Sequence, residues 1–116
     1  MRLSALPAAL LLPIACGSDN SPTATNGSNK SYDVYTVATA FSPTTLAIAA
    51  GDTVVFHITK APDGDGHDVT FDATPGAPAN IKVTLTGDIS RVFNTRGSFR
   101  YNCFVHPGMT GDVQVK

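Results

Sequence analysis

Tryptophan is absent, cysteine and methionine occur twice each, and charged residues make up only 15% of the 116-residue chain. Two cysteines with no Cys-x-x-Cys spacing exclude a four-cysteine zinc site and the Cys-x-x-Cys-His haem attachment motif. Charge of one sign is missing as well: eight Lys and Arg stand against nine Asp, giving a net charge of -1. That balance lacks the one-sided basic surface that a phosphate backbone attracts, so nucleic acid is not an expected partner. The longest apolar run, Leu3 to Ile14, falls short of the roughly 20 residues a membrane-spanning helix needs, and Pro7 and Pro13 interrupt it. Nor is there room for two domains: a chain of this length closes one core, which excludes a multidomain enzyme.

The apolar run follows a single early charge, Arg2, and ends at Ile14-Ala15-Cys16 before the composition turns polar. This order reads as an export signal over residues 1–16. Its ending resembles the lipobox of bacterial lipoproteins, which would make Cys16 a lipid-bearing N-terminus after cleavage. Pro13 stands where those proteins usually have Leu, and plain periplasmic secretion is the alternative. In residues 17–31, eleven of the fifteen are Gly, Ser, Thr or Asn. Such a segment buries no core and reads as a flexible polar linker with an end-to-end distance of about 20 Å.

From Tyr32 to Lys116 apolar and polar residues alternate with a period of two, the signature of strands. Leu46 and Ile48 precede a Gly51-Asp52 turn and Val54, Phe56 and Ile58 follow it, which predicts a hairpin. Ile81, Val83 and Leu85 alternate before a Gly87-Asp88 turn into 89–94. Phe99, Tyr101 and Cys103 share one face, as do Val113 and Val115. Pro43, Pro62, Pro75, Pro78 and Pro107 sit at the breaks. The expectation is an all-β, Greek-key sandwich of seven to eight strands, with the domain spanning 32–116.

Within residues 101–109 lie a thiol, an imidazole and a thioether: Cys103, His106 and Met109. All three suit a soft metal. Cys103 shares the inward face of Phe99 and Tyr101, so burial disfavours its bare thiolate, and a cation beside the sulfur removes that cost. Pro107-Gly108 supplies a turn that can fold Met109 back. For a fourth donor His67 is preferred, because it lies at a sheet end between the Asp63-Gly64-Asp65-Gly66 loop and a strand. His57 is mid-strand on the face opposite Val54, Phe56 and Ile58, and reads as a half-exposed strand histidine without a metal role. Two His, one Cys and a weak axial Met are the donors of a blue-copper electron-transfer centre. Zinc fits less well, because thioether is a poor zinc ligand. Asp63, Asp65 and Asp68 only suggest a calcium site and read as a solvated loop.

From Phe41 to the C-terminus the chain resembles a cupredoxin of the plastocyanin and amicyanin type. The matching segments are Phe41-Ser42-Pro43, Leu46-Ala47-Ile48, residues 51–56, His67-Asp68-Val69-Thr70-Phe71, and an ending similar to the family's Tyr-x-Cys-x-x-His-Pro-x-Met-x-Gly. The Cys-to-Met loop has the shorter length typical of amicyanin. The stretch 60–66 is longer than the family's connection, and Asp68 stands where relatives more often carry Asn or Thr. The resemblance implies one copper per chain, bound by His67, Cys103, His106 and Met109. It also implies a role for Asp68 in hydrogen-bonding across to the cysteine-bearing loop. The electron port implied is an apolar patch of Phe104, Pro107, Gly108 and Met109, with the ring edge of His106 reaching the surface within it. Partners would be transient redox proteins, the chain a monomer, and the membrane engaged only through a lipid on Cys16. The location implied is the periplasmic or cell-surface side of a bacterial membrane.

Two other functions use the same residues. A copper-delivery protein would bind the ion with the same donors but without rapid redox cycling. A thiol enzyme would activate Cys103 with His106, yet no third orienting residue or oxyanion feature is legible. A Cys16–Cys103 disulfide would require the long polar linker to fold back.

Overall fold

The computed structural model describes residues 29–116. The export signal, Cys16 and the linker as far as residue 28 lie outside the described residues. Among the described residues there are nine strands and no helix: β1 (Ser31–Val37), β2 (Ala40–Ser42), β3 (Thr45–Ile48), β4 (Asp52–Ile58), β5 (His67–Phe71), β6 (Ile81–Thr84), β7 (Gly87–Phe93), β8 (Gly97–Asn102) and β9 (Thr110–Val115). They form two sheets, ordered β2-β1-β4-β7 and β3-β9-β8-β5-β6. The all-β sandwich is as expected, but with nine strands rather than seven or eight. β1 begins at Ser31, the last residue of the expected linker, and runs parallel to β4. Just before it, the Lys30 N–H donates to the buried Asp52 carboxylate at 2.8 Å.

The predicted hairpin across Gly51-Asp52 does not form. β3 pairs with β9 in one sheet while β4 pairs with β1 and β7 in the other, so the turn carries the chain across the sandwich. Gly51 adopts a φ of 96°, and the Asp52 carboxylate accepts the Ala49 N–H at 2.9 Å, closing the turn without any pairing between β3 and β4. Gly87 and Asp88, expected as a turn, instead open β7 and pair with Ile58 and His57 of β4; Leu85 and Thr86 link β6 to β7, which lie in different sheets.

The inward faces follow the period-two pattern. Val54, Phe56 and Ile58 from β4 meet Phe99 and Tyr101 from β8 and Val113 and Val115 from β9, all buried. Tyr101 sits edge-on to Phe41, Phe56 and Phe71, with ring centroids 4.9, 5.4 and 5.6 Å away. Such edge-to-face pairs are worth about 0.5–1.5 kcal/mol each beyond the area they bury. Gly111 lies opposite Tyr101 across the β8–β9 ladder, and a Cβ there would overlap the phenol ring. Glycine at that position is therefore what lets the ring lie over β9. On the edge strand β6 only Ile81 of the expected apolar face is inward, with Val83 and Leu85 60% and 55% exposed. The register between β5 and β6 shifts between His67 and Val69, which rotates this edge away from a regular alternation.

Candidate metal centre

The β8–β9 connection, residues 103–109, is held by two backbone hydrogen bonds. The Cys103 N–H donates to the Met109 carbonyl at 2.9 Å, and the Met109 N–H to the His106 carbonyl at 3.1 Å. Gly108 takes a φ of 90°, the left-handed conformation that returns the chain towards Cys103. His67 arrives from the first position of β5. It points inward with Val69 and Phe71, as alternation along a strand requires. Gly66, just before it, passes so close to the Thr84 carbonyl of β6 that a Cβ would overlap it.

These elements bring three donors together. The Nδ1 of His67 and the Nδ1 of His106 lie 3.9 and 3.8 Å from Cys103 Sγ. The two imidazole centroids are 4.8 Å apart. His67, Cys103 and Met109 are 0%, 2% and 2% exposed, and Met109 packs in the same buried cluster. A small ion with a metal–sulfur bond of about 2.3 Å and metal–nitrogen bonds of about 2.0 Å, spread at 120° in a plane, separates sulfur from nitrogen by about 3.7 Å; a tetrahedral ion gives about 3.5 Å. The observed 3.8 and 3.9 Å lie within a few tenths of an ångström of both, so a single small ion fits between the donors. The thioether in the set is what favours a type 1 copper centre over structural zinc.

Electrostatics around these groups suit a soft cation. Burial pushes the Cys103 thiol above its ordinary value, so the sulfur is neutral unless a positive ion joins it. Burial, with the neighbouring His106 adding to it, lowers the pKa of His67 and keeps its imidazole in the neutral, ligating form. The Nε2 of His67 is buried with no hydrogen-bond partner.

Asp68 is not in the solvated loop. It is buried, with one carboxylate oxygen accepting the N–H groups of Phe104 at 2.7 Å and Val105 at 3.3 Å and the other accepting the Thr70 hydroxyl at 2.6 Å. Burial opposes its charge, but hydrogen bonds from Thr70, Cys103 and the two backbone N–H groups outweigh that and lower its pKa. Asp68 thus ties β5 to the cysteine-bearing loop, and Thr70, which the sequence reading did not single out, orients it.

Around His106 the arrangement differs from the expectation. Phe104, Pro107 and Gly108 are exposed, Phe104 to 70%, whereas Met109, expected in the same patch, is buried beneath them. The ring edge of His106 does not lie bare among them: it is 8% exposed, and its Nε2 is 2.9 Å from Asp63 Oδ2. The longer 60–66 loop explains this, because it reaches over the ring. Asp63 and Asp65 are exposed as expected, but Asp63 is more than a solvated charge. The Asp65 N–H and then His106 hold its carboxyl below the usual range. Its only sequence signal was its position in the extended loop before the first ligand. His57 lies apart on β4, bonded to Asp33 at 2.7 Å and Asp88 at 2.9 Å and stacked on Tyr35.

No family model and no curated protein matches the chain. Solved structures do. One is amicyanin, as a proline mutant in the reduced state, at 26% identity over 77% of this chain and 85% of that one, with a TM-score of 0.62. Another is the reduced Cu(I) form at pH 4 of an amicyanin proline-to-glycine mutant, at 27% identity over 81% and 87%, TM-score 0.61. A pseudoazurin from Sinorhizobium is 27% identical over 75% and 74%, TM-score 0.58. The fold is that of the cupredoxins, and His67, Cys103, His106 and Met109 group within it as the donor set of a type 1 copper site.

Proposed function

We propose that this protein carries single electrons between redox partners through one copper ion held by His67, Cys103, His106 and Met109. The observation that carries the reading is the convergence of two imidazole nitrogens on one buried thiol, all within 4.8 Å of one another. Likeness to amicyanin and pseudoazurin supports it. When bound, copper supplies a one-electron couple that prefers different geometries in its two states. The chain's part is to hold the donors still. Cys103 and His106 are fixed by the loop's backbone bonds, His67 by complete burial, and the cysteine-bearing loop by Asp68. Donors that move little between the two oxidation states keep the reorganisation needed for electron transfer small.

Exposed Phe104, Pro107 and Gly108 beside His106 form the port through which electrons leave. A small patch of this kind suits brief complexes with redox partners, which must separate after each transfer. We read the protein as a monomeric carrier that transforms no substrate, exported to the periplasmic or cell-surface side of a bacterial membrane. A lipid on Cys16 would tether it there through the polar segment that precedes β1, and mass analysis of protein from the membrane fraction tests that anchor.

Copper delivery is the weaker reading, because an ion enclosed by residues 0–8% exposed exchanges slowly. Rapid copper transfer to a chelator would favour it. A nucleophilic role for Cys103 is weaker still, since burial holds the thiol neutral. Adding cupric ion to the metal-free protein tests the main reading: an intense thiolate-to-copper absorption band, lost in Cys103→Ser, is expected, and its absence from the unaltered protein would overturn it.

A further inference from the structure

The two imidazoles are held by different means. His67 is enclosed, and its Nε2 has no hydrogen-bond partner. The Nε2 of His106 meets a carboxylate from a loop 43 residues earlier in the chain, Asp63 Oδ2, at 2.9 Å. That loop is built to present it. The Ala61 N–H donates to the Asp65 carbonyl at 2.9 Å and the Gly64 N–H to the Ala61 carbonyl at 2.9 Å. Gly64 takes the left-handed φ of 94° that the tight turn needs, and Ala61 is buried at its base. The other oxygen of Asp63 accepts the Asp65 N–H at 3.0 Å, so the carboxylate is fixed at both ends.

We propose that Asp63 is the positioning residue of His106, a carboxylate that holds the imidazole in the Nε2–H form with its Nδ1 lone pair aimed at the site occupied by the metal. The inference rests on the copper reading above and adds a part to it. A ring whose Nδ1 faces the Cys103 sulfur at 3.8 Å must carry its proton on Nε2 in order to ligate, and the carboxylate accepts that proton in a hydrogen bond. The bond fixes the ring plane, and the negative charge strengthens nitrogen donation, as outer partners of metal-bound histidines do. The negative charge and the stronger donation favour the more highly charged oxidation state, while the fixed ring plane supports ligation in both. Asp63 therefore lowers the reduction potential and tightens binding of the cupric ion. A bare ring edge, the arrangement expected from the sequence, would obtain neither.

The test compares Asp63→Ala, Asp63→Asn and Asp65→Asn with the unaltered copper-loaded protein by voltammetry, cupric-ion titration and proton NMR of the reduced form. Asp63→Ala is expected to raise the potential, weaken cupric binding by about 10–100-fold, and speed exchange of the His106 Nε2 proton. Asp63→Asn keeps the size of the side chain but only one acceptor oxygen in place of two, so it can accept the His106 proton only by giving up the Asp65 N–H, and a rise smaller than that of Asp63→Ala is expected. Asp65→Asn removes a loop charge that lies within 4.8 Å of a His106 ring nitrogen but makes no hydrogen bond to it, and should change the potential less than Asp63→Ala does. Unchanged potential, affinity and proton exchange in Asp63→Ala would overturn the proposal. So would a shift in Asp65→Asn as large as in Asp63→Ala, because the field of the loop rather than the hydrogen bond would then be the cause. Absence of the thiolate band from the unaltered protein would defeat the copper reading and this inference with it; a normal band with an unmoved Asp63→Ala would defeat this inference alone.

Discussion

His57 and His67 stand ten residues apart in the chain and meet opposite fates. His57 lies on the outer face of β4, where Asp33 and Asp88 each take one ring nitrogen and Tyr35 stacks beneath it, with centroids 4.6 Å apart. His67 lies on the inner face of β5, stripped of water, with one nitrogen facing a thiol and the other unpartnered. The outer cluster is satisfied as it stands: two carboxylates favour the protonated ring and solvent screens what remains. The inner one is not, because a neutral thiol and a neutral imidazole have left water without gaining a full set of partners. A group that stays unsatisfied after folding is one that a ligand can complete, and this difference, more than the presence of histidine, separates a binding centre from a surface ornament.

The comparison breaks most sharply on removal of the rings themselves. His67→Ala should weaken cupric binding by more than the 10–100-fold typical of losing an outer partner, whereas His57→Ala should leave it unchanged in the same titration. The next largest effect concerns the support of the inner centre. In Gly111→Ala the new methyl meets the Tyr101 ring two residues before Cys103, and overpacking of this kind costs about 1–3 kcal/mol, read as an earlier urea midpoint at constant slope. Asp68→Asn should cost less stability, since the amide oxygen can still accept the Phe104 N–H. Loss of the carboxylate charge near the metal should nevertheless raise the reduction potential, and an unchanged or lower value in voltammetry would count against its role.

The smallest effect belongs to the outer cluster. Asp33 first and Asp88 second raise the His57 pKa above 6.5, so the folded protein binds its proton more tightly than the unfolded chain. Their contribution to stability is fully present below pH 6.5 and fades as pH rises through the folded value. Both carboxylates are well exposed, 53% and 70%, and the effect should stay below about 1 kcal/mol. Asp33→Asn should flatten this pH dependence in thermal unfolding without altering copper binding.

Much of the inner centre was legible because its donors are local. Cys103, His106 and Met109 occupy one turn, and alternation from Phe99 through Tyr101 says that the sulfur faces inward. His67 was legible from its place at a strand's start. What was not legible depends on partners distant in sequence. A Gly-Asp turn looks the same whether the next strand pairs with the last or crosses to the opposite sheet, so the β3–β4 connection was misread. Period two states that Val83 and Leu85 share a face with Ile81, but an edge strand with a shifted register need not bury it. The hold of Asp63 on His106 spans 43 residues and appears only when the extended loop is seen folded over the ring.

X-ray absorption of the copper-loaded protein in both oxidation states tests the central claim most directly. The account predicts two nitrogen donors and one short sulfur around the ion, retained with little change in distance on reduction. An ion surrounded only by nitrogen and oxygen, or one that sheds the Cys103 sulfur or His67 when reduced, would contradict it.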